Sequence, residues 1–162
     1  MVRIAIEQDL LAIVAIYNAS ISGRMATGDL DPVSVESRRE WFAEHDAGHY
    51  PLWVEERDGE VAAWLSFSSY YPRPAWHATA EVSVYVAPGH QRQGIATALV
   101  RQAIAQAPSL GLRVLLGVVF RHNTPSVALF NNFGFEEWGH LPEVTELDGV
   151  RRDVLILGRN VP

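Results

Sequence analysis

The chain contains no cysteine and no lysine; all 13 of its basic residues are arginine. Without cysteine there is no disulfide, no thiolate metal site and no cysteine nucleophile. Without lysine there is no Walker A loop, no Schiff-base lysine and no kinase-type phosphate lysine. An anionic ligand must then be held by arginine, backbone amides or helix ends. Long apolar runs are also missing, and none approaches the length that spans a bilayer, so no membrane partner is expected. The 13 cations face 19 Asp and Glu, for a net charge of −6. Arg38-Arg39 and Arg151-Arg152 are isolated pairs rather than basic tracts. Nucleic acid is therefore not an expected partner, because phosphate binding needs clustered cations. Six scattered histidines with no HExxH motif lead us to expect no metal site.

With 162 residues, 48% of them hydrophobic, the chain suits one core, and we expect a single domain over 1–162. The opening MVRIAIEQDLLAI has early acidic and polar residues and no signal-peptide pattern. The expected location is cytoplasmic.

Arg3 to Ile6 reads as a short strand, followed by a helix with Leu10, Ile13, Val14 and Tyr17 at amphipathic spacing. Ile21 to Pro32 is a Gly- and Asp-rich loop, and Ser34 is a good N-cap for a second helix through about Glu44. Leu52 to Glu56 and Val61 to Phe67 flank Asp58-Gly59, which suits a type I′ hairpin turn. Two prolines, Pro72 and Pro74, make Ser68 to Trp76 a loop. A strand over Thr79 to Val86 and a helix from about Gly94 to Ala107 follow, then a buried strand over Arg113 to Val119. Thr124 as N-cap and Pro125 at the first helical position mark a short helix. Trp138 to Val144 and Arg151 to Leu157 bracket a second hairpin turn at Asp148-Gly149. The order β-α-α-β-β-β-α-β-α-β-β predicts an α/β fold, a mixed sheet with helices on its faces.

The stretch Glu81 to Ala96, EVSVYVAPGHQRQGIA, carries the chemistry. Backbone N–H groups at a helix start are unpaired, and the helix dipole adds about half a positive charge there. Small residues at Gly94 and Ala96 let phosphate oxygens approach the backbone, and Arg92 supplies a charge-assisted contact. From these residues alone an ordinary strand-to-helix turn remains an equal alternative. GxGxxG is absent, so a Rossmann site is not expected.

Gln91-x-x-Gly94-x-Ala96 after Val84-Tyr85-Val86 resembles the pyrophosphate loop of the GNAT superfamily of N-acetyltransferases. A second signature follows: Asn123-Thr124-Pro125-Ser126, Ala128-Leu129-Phe130 and Phe133-Gly134-Phe135. Tyr17-Asn18, Arg39 to Phe42, Tyr50-Pro51 and Glu81 to Val86 look like the phosphinothricin and methionine sulfoximine acetyltransferase branch. The resemblance implies a mixed, mostly antiparallel sheet of about seven strands with about four helices. It implies acetyl-CoA as acetyl donor, a small-molecule amine as acceptor, and a homodimer with the acceptor pocket close to its interface. Val84, Tyr85 and Val86 would meet the acetyl and pantetheine portions. Gln91, Arg92, Gln93, Gly94, Ile95, Ala96 and Thr97 would wrap the pyrophosphate, and Asn123 and Ser126 would bind the pantetheine arm. Tyr71, Pro72 and Arg73, with Glu81, Val82 and Ser83, would line the acceptor pocket.

Direct transfer needs a neutral amine. An α-amino group with pKa about 8 is roughly one-tenth neutral at pH 7, whereas a lysine amine at about 10.4 is nearly all protonated. An amino-acid acceptor thus needs modest base assistance, for which Glu81 is the candidate and His77 the second choice. His90 and His122 adjoin the cofactor signatures. Many relatives have an acid at the position of Phe130, tyrosine in the superfamily or histidine in this branch; phenylalanine can be neither. Strand alternation turns Tyr85 away from Val84 and Val86. Arg73 is the nearest cation to a pocket arginine that relatives carry near Tyr71. The rival readings are a peptide N-terminal or polyamine acetyltransferase, and a non-catalytic acyl-CoA-binding domain.

Overall fold

A computed structural model describes all 162 residues. Seven strands, β1 (Val2–Ile4), β2 (Leu52–Arg57), β3 (Glu60–Ser69), β4 (Thr79–Val86), β5 (Val114–Phe120), β6 (Glu136–Leu147) and β7 (Val150–Asn160), form one sheet. Its order is β1-β2-β3-β4-β5-β7-β6. All neighbours are antiparallel except β4 and β5, which run parallel. Four α-helices, α1 (Leu10–Ile21), α2 (Arg39–Ala43), α3 (Ile95–Gln106) and α4 (Thr124–Asn132), connect the strands in the expected order.

Strand alternation divides the packing between the two faces. Ala63, Leu65 and Phe67 of β3 and Val82 of β4 join the buried face of α3, with Ile95, Leu99, Val100 and Ala103, and Phe130 of α4. Leu99 and Phe67 are fully buried, and each such side chain contributes about 1.5–3 kcal/mol. On the opposite face, Ile13 and Ile16 of α1 pack with Leu52, Val54 and Trp64, flanked by Trp41 and Phe42 of α2. The Trp64 indole N–H donates to the Ile13 carbonyl at 3.1 Å, fixing α1 over β3.

Both hairpin turns are type I′: Asp58 and Gly59 have φ of 53° and 81°, and Asp148 and Gly149 have 51° and 79°. Three local expectations shift. β1 ends at Ile4, because the Ile6 N–H turns to the Asp9 carboxylate at 2.8 Å. The second helix opens as a 3-10 turn over Glu36–Arg38, although the Ser34 hydroxyl does accept from the Ser37 N–H. The N-cap of α4 is Asn123, not Thr124; its side chain accepts from the Ser126 N–H, so Thr124 is already helical.

Candidate active site

The sheet opens between its two parallel strands. The β4–β5 ladder runs through Thr79↔Val114 and Ala80↔Leu115 and ends at Glu81↔Leu116. β4 stays on β3 as far as Val86, and β5 stays on β7 as far as Phe120. The Ala78 carbonyl faces β5, accepting from the Arg113 and Val114 N–H groups. By alternation, the backbone of Val82, Val84 and Val86 faces the same way, into a notch where β5 no longer pairs. Met25, Ala26, Val118, Asn123, Ser126 and Phe130 line this narrow notch, about 50 Å³.

A groove of about 650 Å³ continues from the notch, sharing Met25, Val84, Asn123 and Ser126 with it. It runs past Val86 and His90 to the turn Gln91–Gly94 and the first residues of α3. Arg92 and Gly94 have φ of 59° and 77°; the left-handed conformation at Gly94 strains any side chain. The first α3 bond is Ala98 N–H to the Gly94 carbonyl, so the N–H groups of Ile95, Ala96 and Thr97 have no helical acceptor. They face a groove edged by Arg92, with the dipole of α3 behind them.

On the other face of β4 lies a cavity of about 220 Å³. Its floor is built by cross-strand pairs: Trp64↔Tyr85, Ser66↔Ser83 and Ser68↔Glu81. α1 contributes Ile13, Val14 and Tyr17, and the α2 region contributes Arg38 and Trp41. Trp64 stacks on Tyr85 with centroids 4.6 Å apart, and Tyr17 meets Tyr85 at 5.3 Å. Burial raises the Glu81 carboxyl above the usual carboxylate range, and no cation lies within ion-pair distance of it. Burial likewise pushes the Tyr85 hydroxyl well up, which keeps it protonated as a donor to the Ala26 carbonyl at 3.3 Å. Cavity and notch share Ser83 and Tyr85, so they meet through one stretch of β4.

The loop between α1 and α2 closes both spaces. Met25 and Ala26 line the notch, while Asp29 bonds Arg38 at 3.0 Å and accepts from the Tyr17 hydroxyl. His122 holds this loop through the Arg24 carbonyl at 2.8 Å, and Asn123 through the Met25 carbonyl at 2.9 Å.

The acetyltransferase (GNAT) family model matches residues 13–135. The chain belongs to the GNAT acetyltransferase family. It is 47% identical over 160 residues to YwnH of Bacillus subtilis, named provisionally as a phosphinothricin acetyltransferase, covering 98% of each chain. It is 30% identical over 154 residues to the L-methionine sulfoximine/L-methionine sulfone acetyltransferase of Pseudomonas aeruginosa, covering 94% of this chain and 90% of that one. Among solved structures, yncA of Salmonella typhimurium with its cofactor acetyl-CoA matches at TM-score 0.93 and 27% identity, covering 100% of this chain and 94% of that one. The protein is thus a GNAT N-acetyltransferase of the phosphinothricin and methionine sulfoximine branch.

Within this GNAT frame the expected site residues separate. Glu81 and Ser83 line the cavity on the α1 face of β4; Val82 does not, because alternation turns it into the α3 core, 3% exposed. Tyr71, Pro72 and Arg73 stand outside the cavity, and Tyr71 packs against Trp76 at 5.4 Å. His77 is also outside, exposed and turned to the Pro74 carbonyl at 3.0 Å. Val84, Val86, Gln91, Arg92, Gly94, Ile95, Ala96, Thr97, Asn123 and Ser126 all line the groove. Gln93 does not, since its amide turns back to the Gly89 carbonyl. Tyr85 lines the notch but sends its ring into the cavity of Glu81, as alternation requires. Asn123 uses both ends of its amide inside the protein, capping α4 and holding Met25, and so positions the groove wall.

Phe130 is 3% exposed and packs on Phe135 with centroids 4.9 Å apart; it is a core residue as well as a notch wall. His45 and His49 stand four residues apart, yet turn to separate carbonyls, those of Trp41 and Leu110. The reading from sequence missed Tyr17, Arg38, Trp41, Ser66 and Ser68. The serines had a signal: polar residues at every second position of an otherwise apolar strand, Trp64-Leu65-Ser66-Phe67-Ser68, mark a polar face. Nothing local separated Arg38 from Arg39.

Proposed function

We propose that the protein moves an acetyl group from acetyl-CoA to the primary amine of a small amino-acid-like acceptor, by direct attack in a ternary complex. The observation that carries this reading is the meeting of the cavity with the notch at Ser83 and Tyr85, the groove continuing from the notch, with Glu81 two residues before Ser83. Acetyl-CoA fits the groove on three grounds. The N–H groups of Ile95 to Thr97 with Arg92 suit a pyrophosphate. The open edge of β4 suits the amides of a pantetheine arm. The notch is wide enough for a thin chain only. When bound, acetyl-CoA supplies a thioester carbonyl.

Glu81, held with a raised pKa, takes the proton that leaves the attacking amine. The Val84 N–H, on the open edge, stabilises charge developing on the carbonyl oxygen. The carbon–sulfur bond then breaks and the thiol leaves as thiolate. With a pKa near that of cysteine, about 8.5, it is a fair leaving group without an acid at Phe130.

The cavity, about 220 Å³ and walled by Tyr17, Trp41, Trp64 and Tyr85, is below the range of about 300–1,000 Å³ that drug-sized ligands occupy. It favours an acceptor of amino-acid size over a peptide or polyamine. A thiol-release assay with acetyl-CoA tests this against methionine sulfone, methionine sulfoximine, phosphinothricin, polyamines and N-terminal peptides. We expect turnover with the first three; turnover confined to polyamines or peptides would overturn the reading.

A further inference from the structure

The acceptor cavity contains one cation that the proton chemistry leaves unused. Arg38 closes the 3-10 turn before α2, and its guanidinium lies 4.9 Å from the centre of the Tyr17 ring. Within the protein it spends a single N–H, Nη2 to Asp29 Oδ2 at 3.0 Å. Asp29 is itself fixed by the Tyr17 hydroxyl, and Tyr17 by Thr27. The guanidinium plane is therefore clamped by an ion pair on one side and an aromatic face on another, with Nε and Nη1 making no bond to protein. Nη2 keeps a second hydrogen, which with the neighbouring Nε–H or Nη1–H can meet the two oxygens of a carboxylate.

The other lining groups sharpen the match. Glu81 is the only acid on the wall, and between it and Arg38 lie only serine, aliphatic and aromatic side chains. A cavity with one carboxylate and one guanidinium is complementary to a molecule carrying an ammonium and a carboxylate together. Arg73, the cation favoured from sequence, lies outside it.

Resting on the acceptor-cavity reading above, we propose that Arg38, oriented by Asp29 and Tyr17, binds the α-carboxylate of the acceptor and selects amino acids over simple amines. A polyamine, having no anion, would leave the remaining N–H groups of Arg38 without an acceptor and place its own positive charge beside it.

Steady-state kinetics with three matched acceptors tests this: methionine sulfone, its carboxamide, and the amine lacking the carboxyl group. For the unaltered enzyme, kcat/KM should favour the carboxylate by roughly 10- to 100-fold, the range of a charge-assisted hydrogen bond. In Arg38→Met that preference should collapse towards unity, mainly through KM, and Arg38→Lys should restore part of it. Asp29→Asn should loosen the preference less, as a positioning change. Equal rates for carboxylate and carboxamide in the unaltered enzyme would overturn the assignment, and need no variant to fold. A preference that survives intact in Arg38→Met would also overturn it, while leaving the acetyltransferase reading untouched. If none of the three acceptors is acetylated but other amines are, the cavity reading itself falls, and this assignment with it.

Discussion

Phe130 lies against the bare backbone of Gly117: a Cβ at that glycine would come within 3.0 Å of the Phe130 ring tip. Phe130 is thus wedged into the core against a glycine on β5.

Restoring a hydroxyl there should therefore fail. Phe130→Tyr adds an oxygen at the ring tip, where Gly117 already sits close. Overpacking of this kind costs about 1–3 kcal/mol. For a domain of this size the melting temperature should fall by roughly 2–10 °C, with no gain in kcat. Gly117→Ala should destabilise in the same way. A Phe130→Tyr enzyme that is both stable and faster would show that the site accepts an acid after all.

Glu81 leads to a pH prediction with a definite sign. Its folded-state pKa is raised by burial, so the base form appears at a higher pH than for an ordinary carboxylate. kcat/KM should rise with pH through that raised value, and Glu81→Gln should abolish the rise. The same shift bears on stability. Protonation is favoured in the folded state, so ionised Glu81 destabilises the fold at pH above the raised pKa and is neutral in effect below the unfolded value. Glu81→Gln should therefore be no less stable than the parent at pH 7, measured by thermal unfolding, while losing activity.

Gly94 tests the groove. With φ of 77° it holds a backbone that costs other residues about 1 kcal/mol or more. A side chain there meets no protein atom within 4 Å, so the protein itself has room for it and the strain is conformational. Gly94→Val should weaken acetyl-CoA binding at least tenfold in calorimetry, by distorting the turn and projecting methyl groups towards the cradle. Unchanged affinity would place the pyrophosphate elsewhere.

The N-terminal strand is tied to α1 by charge. Arg3 bonds both oxygens of Asp9 at 2.7 and 2.9 Å, and Asp9 is 7% exposed. Arg3 holds the Asp9 carboxyl below the usual range. Its contribution is thus present above the ordinary carboxylate pKa and lost as pH falls through the depressed one. Arg3→Met leaves Asp9 unpaired and should cost on the order of 2 kcal/mol at pH 7. The gap between variant and parent should narrow in acid, as followed by denaturant unfolding.

Much of this protein was determined by its sequence alone, wherever the deciding contacts are local. Asp58-Gly59 and Asp148-Gly149 specify type I′ turns because few other pairs tolerate two positive φ values. Alternation along Glu81 to Val86 decides which side chains face α3 and which face α1. The turn at Arg92 to Gly94 and the free amides of α3 follow from a glycine before a helix. Tertiary structure decided the rest. The end of the β4–β5 ladder at Glu81↔Leu116 depends on β5 remaining with β7, a long-range pairing. The register of β3 on β4 sets Ser66 and Ser68 beside Ser83 and Glu81. The packing of α1 and α2 on the sheet brought Arg38 into the cavity that holds Glu81, and the loop after β3 left Arg73 outside it. The periodicity that gives each element its faces carries no information on which remote side chain will lie across a cavity from Glu81.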